Sequence, residues 1–425
     1  MNAATHNSPD VIIVGGGPAG MMCALLLARA GVSVTVLEKH GDFLRDFRGD
    51  TVHPSTMEAL HELGLLEKFL QRPHEKVASA QIRIAGIDYT IGDLSHLNVA
   101  APFIAMMPQW EFLDFLRDEA EKYPGFTLAM EAEATGFIEE DGRIAGVTMA
   151  DGRQLRPRLL TLMCDGRGSL VRKRKLLPLC QIGAPMDVFW FHLPKAPHNG
   201  EALRGAIDTG RMIVLIDRRT YWQAAFLIPK GSADEVRAKG VGWIKAQVQA
   251  AFPELDLGGQ GGGGQGGGGQ GSGGQGGLSS LDDLFLLRVS LDRLEEWCRP
   301  GLLAIGDAAH AMSPIGGIGI NLAIQDAVAA ANILATPLAQ GRNVDDMLHL
   351  VQERRLFPTR VIQRGQKAAQ DTIIGAVLSG RPITRAPWPV RLLGAVPLLR
   401  RIPGRIIGLG VRRESVQSPN AFGAD

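Results

Sequence analysis

Cysteine is scarce: four residues in 425 (Cys23, Cys164, Cys180, Cys298), far apart and with no C-x-x-C pair. That excludes a disulfide framework and a cysteine-rich metal site, so no metal is expected, and a reducing cytoplasm fits. An excess of charge of one sign is missing too. Forty-five basic residues against forty-four acidic ones leave a net charge of +1, which argues against a polyanion-binding surface and against nucleic acid as a partner. An unbroken apolar run is also lacking. Residues 11–28 carry no charge, but Asp10 stands in front, no Lys or Arg precedes Arg29, and Gly15-Gly16-Gly17-Pro18 breaks the run. A signal peptide needs a basic front, and a membrane helix needs about twenty apolar residues without breakers. The chain reads as soluble. With 45% apolar and 21% charged residues it has ordinary globular composition, and its length suggests roughly two or three lobes.

What is present begins as strand, tight turn, helix, strand. Val11–Val14 is a β-branched run of the kind buried on both faces of a sheet. Gly15-Gly16-Gly17-Pro18-Ala19-Gly20 follows, then a helix over 21–30 ended by Gly31, then a strand over 32–37 closing on Glu38. Residues 159–163 and 302–305 predict two more buried strands, each running into a Gly/Asp turn. Residues 81–89, 187–193, 212–217 and 221–228 alternate, which predicts a second, antiparallel sheet with one wetter face. The first fold is thus interrupted by a sheet rather than followed by one. Residues 258–277 contain fifteen glycines in twenty positions and have nothing to bury. They read as a flexible tether replacing or extending a surface loop, on the order of 25 Å end to end. The segment also matches G-x-G-x-x-G at Gly262, Gly264 and Gly267, by composition alone.

Three separated motifs carry chemistry. In Gly15-x-Gly17-x-x-Gly20, between strand and helix, the first glycine permits the tight turn and the second lets backbone approach a pyrophosphate. The third lets helix and sheet pack closely, with the helix N-terminus facing the phosphates. Glu38 lies where a carboxylate accepts ribose hydroxyls, and it would repel a 2′-phosphate. The second motif is Cys164-Asp165-Gly166-Arg167-Gly168-Ser169. The third is Gly306-Asp307-Ala308-Ala309-His310, followed by Pro314 and by Gly316-Gly317-Ile318-Gly319-Ile320-Asn321 before a helix over 322–334. Taken singly, Asp165 or Asp307 reads equally well as a turn or cap residue.

In this order and spacing the motifs resemble the class A flavoprotein monooxygenases of the p-hydroxybenzoate hydroxylase type, over about half of the chain. The resemblance implies an α/β fold: a Rossmann-like (GR2-type) FAD-binding domain, interrupted by a mostly antiparallel substrate sheet, with a C-terminal helical cap. It implies one noncovalent FAD, with Gly15, Gly17, Pro18, Ala19, Gly20 and Glu38 at its ADP half. Asp307 would meet the ribityl chain, and the backbone of Gly319, Ile320 and Asn321 the pyrimidine edge. Asp165 belongs to the family's Asp-Gly motif, linked to FAD and to the pyridine nucleotide. Arg48 matches an arginine that contacts FAD. Gln109, opening a helix over 109–121, matches a glutamine near the ribityl chain, and Pro314 would lie by the reacting face. By the implied mechanism NADH or NADPH reduces the flavin, and a flavin C4a-hydroperoxide delivers one atom of O2 to an apolar aromatic, typically phenolic, small molecule. Which nicotinamide cofactor serves stays open.

On the substrate side, Phe189, Trp190, Phe191, His192, Met212, Tyr221, Trp222, Gln223 and Phe226 are candidate wall residues. The same residues also describe an ordinary core. His192 can deprotonate a phenol, although a histidine on the outer face of a strand is the commoner case. His310 and His53 are equally ambiguous. A halogenase is disfavoured, because Tyr221–Pro229 holds only the end of the Trp-x-Trp-x-Ile-Pro hallmark. A reductase or dehydrogenase on the same scaffold, or a catalytically silent flavoprotein, remains the alternative. From 372 to 413 there is no acidic residue but eight arginines. Peripheral contact with an anionic membrane is one reading. The favoured one is a helical cap on the nucleotide domain with its arginines in solvent, since five prolines interrupt any long helix. The expected layout is an FAD-binding domain of 1–77, 108–183 and 286–340, a substrate domain of 78–107 and 184–285 including the tether, and a helical region of 341–425. Monomer and homodimer both remain open.

Overall fold

The computed structural model describes residues 8–44, 51–195, 203–218, 220–255, 257, 277–380 and 382–423. Val11–Val14, all four residues buried, lies inside a six-stranded sheet. Its order is Cys298–Arg299, Leu302–Ala304, Leu160–Met163, Val11–Val14, Val34–Leu37 and Phe126–Ala129. Every pair is parallel except the edge pair Cys298–Arg299 with Leu302–Ala304. The expected buried strands thus align side by side, as continuous apolar runs require in a sheet covered on both faces. The helix Pro18–Arg29 packs against Gly319–Ala339 and Gln109–Ala120. Ile315–Ala339 is long and apolar enough to cross a membrane, but 78% of its most apolar stretch is buried, which marks a core helix.

The second sheet has seven strands, in the order Phe285–Leu287, Met186–Pro194, Tyr221–Pro229, Arg211–Asp217, Leu203–Asp208, Ser79–Ile84 and Ile87–Asp93. It is antiparallel apart from the pair Leu203–Asp208 with Ser79–Ile84. One expectation needs correction. The alternating stretch 81–89 is a hairpin rather than one strand, because Ala85 (φ 50°) and Gly86 (φ 78°) form a two-residue left-handed turn. One face is the wetter, with Trp190, His192, Met212 and Val214 half-buried, but it is largely apolar. Phe189, Phe191, Leu215, Ala224 and Phe226 pack under the helices Ala233–Ala238 and Gly240–Ala251. Met186, Val188, Ala225 and Leu227 form a second buried cluster on the opposite face. Leu257 and Leu278, which flank residues 258–276, both belong to the helix-covered cluster. The expected tether lies outside the described residues except for Gly277.

The C-terminal region caps both sheets, not the nucleotide side alone. Leu348–Ala369 packs along Gly319–Ala339, and then Ile374 and Val377 turn onto the second sheet beside Met186, Val188, Ile84 and Ile207. A buried charge network ties this cap to the first sheet. Asp326 Oδ2 accepts the Gly306 N–H (3.1 Å) and lies 2.5 Å from His310 Nε2, while Oδ1 accepts Arg355 Nε–H at 2.9 Å. Arg355 Nη1 donates onward to Glu414 Oε1 (3.2 Å) and to the Arg412 carbonyl (3.1 Å). Burial by itself would raise the Asp326 carboxyl, but His310 and Arg355 draw it below the usual carboxylate range.

Arg355→Ala would leave buried Asp326 with His310 alone and buried Glu414 with the partly exposed Arg354 alone. It is expected to cost about 3–5 kcal/mol, read as a lowered urea midpoint at unchanged slope.

Candidate active site

All three motifs sit at the C-terminal ends of neighbouring strands of the first sheet, the usual ligand crevice of such folds. Two of the glycines answer to close approach. A Cβ on Gly15 (φ 106°) would lie 2.4 Å from the Cys164 carbonyl oxygen, and one on Gly20 would lie 2.0 Å from the Gly15 oxygen. Gly17 differs: it caps the helix Pro18–Arg29, and a Cβ there would meet nothing within 4 Å. The space before it is a cradle at a helix N-terminus, where free N–H groups and the dipole favour an anion. Pro18 and Ala19 open that helix, and Ala19 packs on Gly306 of the third motif, so the first and third motifs touch. Glu38 is buried; its Oε2 accepts the Gly16 N–H (3.0 Å) and its Oε1 the His40 N–H (3.1 Å).

Asp165 Oδ2 accepts the Leu170 N–H at 2.7 Å, whereas Oδ1 is buried without a hydrogen-bond partner. Burial pushes this carboxyl above its ordinary range, against the opposing pull of Ser169 and Leu170. Arg167 bridges the second and third motifs. Its Nε donates to Asp307 Oδ2 (3.1 Å) and its Nη2 to the Met312 carbonyl (3.0 Å), leaving Nη1 buried and unpartnered. The Pro314 turn is clamped from the cap. Gln366 accepts the Ser313 N–H (3.1 Å) and donates to the Ser313 and Ile315 carbonyls (3.0 and 3.1 Å). Gly319, Ile320 and Asn321 form the first turn of their helix, whose N–H groups have no intrahelical acceptor. The Asn321 side chain is engaged elsewhere: it accepts from His53 N–H and Thr56 Oγ1–H (both 2.8 Å) and donates to the Thr51 carbonyl (3.2 Å). Gln109 opens its helix half-buried, and Arg48 lies outside the described residues.

Facing these motifs, Ile315 packs with Trp190, Met212, Val214, Ala225 and Leu227 on the open side of the second sheet. Strand register puts Gln223 and His192 on this face as well, since His192 pairs with Gln223 and Trp190 with Ala225. The indole Nε1 of Trp190 and the amide Nε2 of Gln223 are buried donors without an acceptor. His192 sits towards the far end of its strand, its ring 4.4 Å from that of Tyr221. Phe189, Phe191, Trp222 and Phe226 point the other way, into the helix-covered cluster, and are not wall residues for a ligand at Pro314. His310 serves the buried Asp326 network. Neither Arg167, Gln366 nor Arg355 stood out in the sequence. Only Arg167, inside a recognised motif, carried a signal that would have found it.

A family model described as an FAD binding domain matches residues 8–193 and 278–365, the larger part of the chain. A 6-methylpretetramide 4-monooxygenase of Streptomyces rimosus is 32% identical over 361 residues, covering 84% of this chain and 82% of that one. A rifampicin monooxygenase of Streptomyces venezuelae is 31% identical over 321 residues, 75% of this chain and 62% of its own length. Among solved structures, p-nitrophenol 4-monooxygenase PnpA from Pseudomonas putida DLL-E4 superposes with a TM-score of 0.73 at 20% identity. That match covers 96% of this chain and 99% of that one. The geometry fits such a cofactor. The Gly17 cradle suits a pyrophosphate, and the unpartnered Asp165 oxygen and Arg167 nitrogen suit a ligand rich in hydroxyl and carbonyl groups.

His53 supplies a pH test of the site's floor. Its Nδ1 lies 2.8 Å from the Ile407 carbonyl oxygen and must carry the proton to donate there, which leaves Nε2 buried and bare. Burial lowers its pKa from 6.5 to about 4, opposed by that hydrogen bond. With the folded value depressed, the stabilisation is present above pH 6.5 and is lost as pH falls through about 4. The amount is roughly 3 kcal/mol. His53→Asn keeps a donor and removes the titration; its urea midpoint is expected to fall less than the parent's between neutral and mildly acidic pH.

Proposed function

Because the chain belongs to the FAD-dependent aromatic monooxygenases, we propose that it uses NADH or NADPH and O2 to hydroxylate an apolar aromatic or phenolic small molecule. The observation that carries this reading is the apolar sheet face opposite the Pro314 turn, with two buried donors, Trp190 Nε1 and Gln223 Nε2, that meet no acceptor among the described residues. A planar ring with a carbonyl or hydroxyl oxygen is the ligand such a surface would hold. The names of the relatives, for 6-methylpretetramide, rifampicin and p-nitrophenol, support the same class.

In this reading residues 1–77, 108–183 and 286–340 hold FAD, and 78–107 with 184–285 hold substrate, under the helical region 341–425. The first-turn N–H groups of Gly17, Ala19 and Gly20 bind the pyrophosphate, with Gly15 and Pro18 shaping the turn, and Glu38 takes the ribose hydroxyls of the adenosine half. Asp307, oriented by Arg167, takes the ribityl chain, with Gln109 and Arg48 alongside. Asp165 offers its free oxygen, and the first-turn N–H groups of Gly319, Ile320 and Asn321 face the electron-rich edge of the ring system. Bound FAD supplies the redox chemistry, accepting reducing equivalents from the nicotinamide and activating oxygen. The protein's own work is positional. Pro314, fixed by Gln366, sets the floor against which the substrate ring lies; Trp190 and Gln223 orient its oxygen; the sheet and cap exclude water. His192 is the candidate base for a phenol. Four free cysteines support a reducing compartment such as the cytoplasm.

NAD(P)H oxidation by the FAD-loaded protein, measured in air and without oxygen over a panel of phenols, fused-ring aromatics and quinols, tests the reading. One added oxygen atom in a product is the expected result; equal turnover without oxygen would establish the reductase instead. Gly17→Ala meets no protein atom and should leave the fold within about 1 kcal/mol of the parent. It should nevertheless weaken FAD retention at least about tenfold, by filling the cradle. Asp307→Ala should weaken it by about ten- to a hundredfold, and normal occupancy would refute its role. Trp190→Phe is expected to raise KM about tenfold with flavin content unchanged.

A further inference from the structure

The last helices are built inside out for a soluble surface. In Arg401–Leu409 the two buried positions are glycines: Gly404 lies on the backbone of Asp93, where a Cβ would come within 1.9 Å of its oxygen, and Gly408 lies on Leu97 and Leu94. Ile402 (60% exposed) and Ile406 (42%), each directly following an arginine, point outward, while Ile407 and Leu409 pack towards Leu94 and Leu97. Trp388–Ala395 repeats the arrangement. Gly394 meets the Tyr89 ring, while Trp388 (73% exposed) and Leu392 (42%) face out beside Arg391. Leu398, between the two helices, is 63% exposed, and Ile87 of the adjoining edge strand 57%. Among the described residues, Arg385, Arg391, Arg401, Arg405 and Arg412 form no ion pair, and no acidic residue occurs between 372 and 413.

Helices that hide glycine and expose isoleucine, leucine and tryptophan leave apolar area in water. Arginines alternating with that area, without a salt-bridge partner among the described residues and with Asp93 near Arg401, complement a surface that is apolar within and anionic at its edge. We propose that Trp388–Leu409, with the Ile87 turn, docks this protein on an anionic phospholipid bilayer, the apolar side chains entering the headgroup–acyl boundary and the arginines pairing with lipid phosphates. The helices are short and pinned to Asp93, Tyr89, Leu94 and Leu97, so they lie along the bilayer rather than cross it. A cleft of about 480 Å³ bounded by Ile84, Ile207, Ile373 and Trp388 reaches the same surface and offers an apolar recess beside it.

The test is co-sedimentation of the FAD-loaded protein with vesicles of phosphatidylcholine alone, or with about a third phosphatidylglycerol. At least about tenfold stronger partition to the anionic vesicles is expected, falling as salt shortens the electrostatic range. Ile402→Ser with Ile406→Ser, and separately Arg401→Gln with Arg405→Gln, should each abolish the preference while flavin content and melting temperature stay at the parent's. A blue shift of tryptophan emission on binding should disappear in Trp388→Phe. Equal partition to both vesicles, no partition, or unchanged partition of these variants overturns the proposal. So does a concentration-dependent dimer that the Ile402/Ile406 variant dissociates while vesicles bind neither form, because the face is then an interface between copies of this chain.

Discussion

One buried carboxylate, that of Asp326, holds together elements that the chain order keeps apart. It accepts the N–H of Gly306, where the third motif begins, meets His310 four residues on, and anchors Arg355 from the following long helix. Arg355 then reaches Glu414 near the end of the chain. A charge so far from water is sustained only by full pairing, so the loop geometry around Asp307 and the seating of the last segment are coupled through a single group. The Pro314 turn is held in the same way, by a glutamine from the same cap helix. The Pro314 turn and the loop around Asp307 are therefore shaped by the C-terminal helices as much as by the strand ends that carry the motifs.

This division explains what the sequence made legible. Backbone constraints show in residue identity: only glycine fits where Gly15 meets Cys164 and where Gly20 meets Gly15, so the first motif can be read directly. Short apolar runs likewise marked four of the five parallel strands, two of them β-branched, whereas Phe126–Ala129 carried no such signal. Side-chain networks leave no such trace. Asp326, Arg355 and Gln366 sit in helices where a polar residue looks like any solvent-facing one, and their partners lie dozens of positions away. The wall of the second sheet failed for another reason. Alternation divides a strand into two faces but does not say which face meets the cofactor, and here both are apolar. Phe189, Phe191 and Phe226 belong with the helices, and the even-numbered neighbours Trp190 and Met212 look towards Ile315. Arg48 lies outside the described residues.

The substrate side gains meaning from its unpaired donors. A buried indole N–H and a buried amide N–H on one face of a sheet, without an acceptor among the described residues, are costly unless something fills them. Their neighbours are methionine, valine and alanine, which accommodate a flat ring without dictating its outline. In the proposed function, such a face would discriminate by the position of an oxygen more than by size.

The attachment of residues 258–276 has a practical corollary. Leu257 and Leu278 both root in the cluster beneath the two outer helices, on the side of the second sheet turned away from Pro314. The matched family region also skips 194–277. Length change at this joint is separated from the Pro314 turn by a full layer of sheet. It is a natural place for an experimenter to splice in a reporter or an affinity handle.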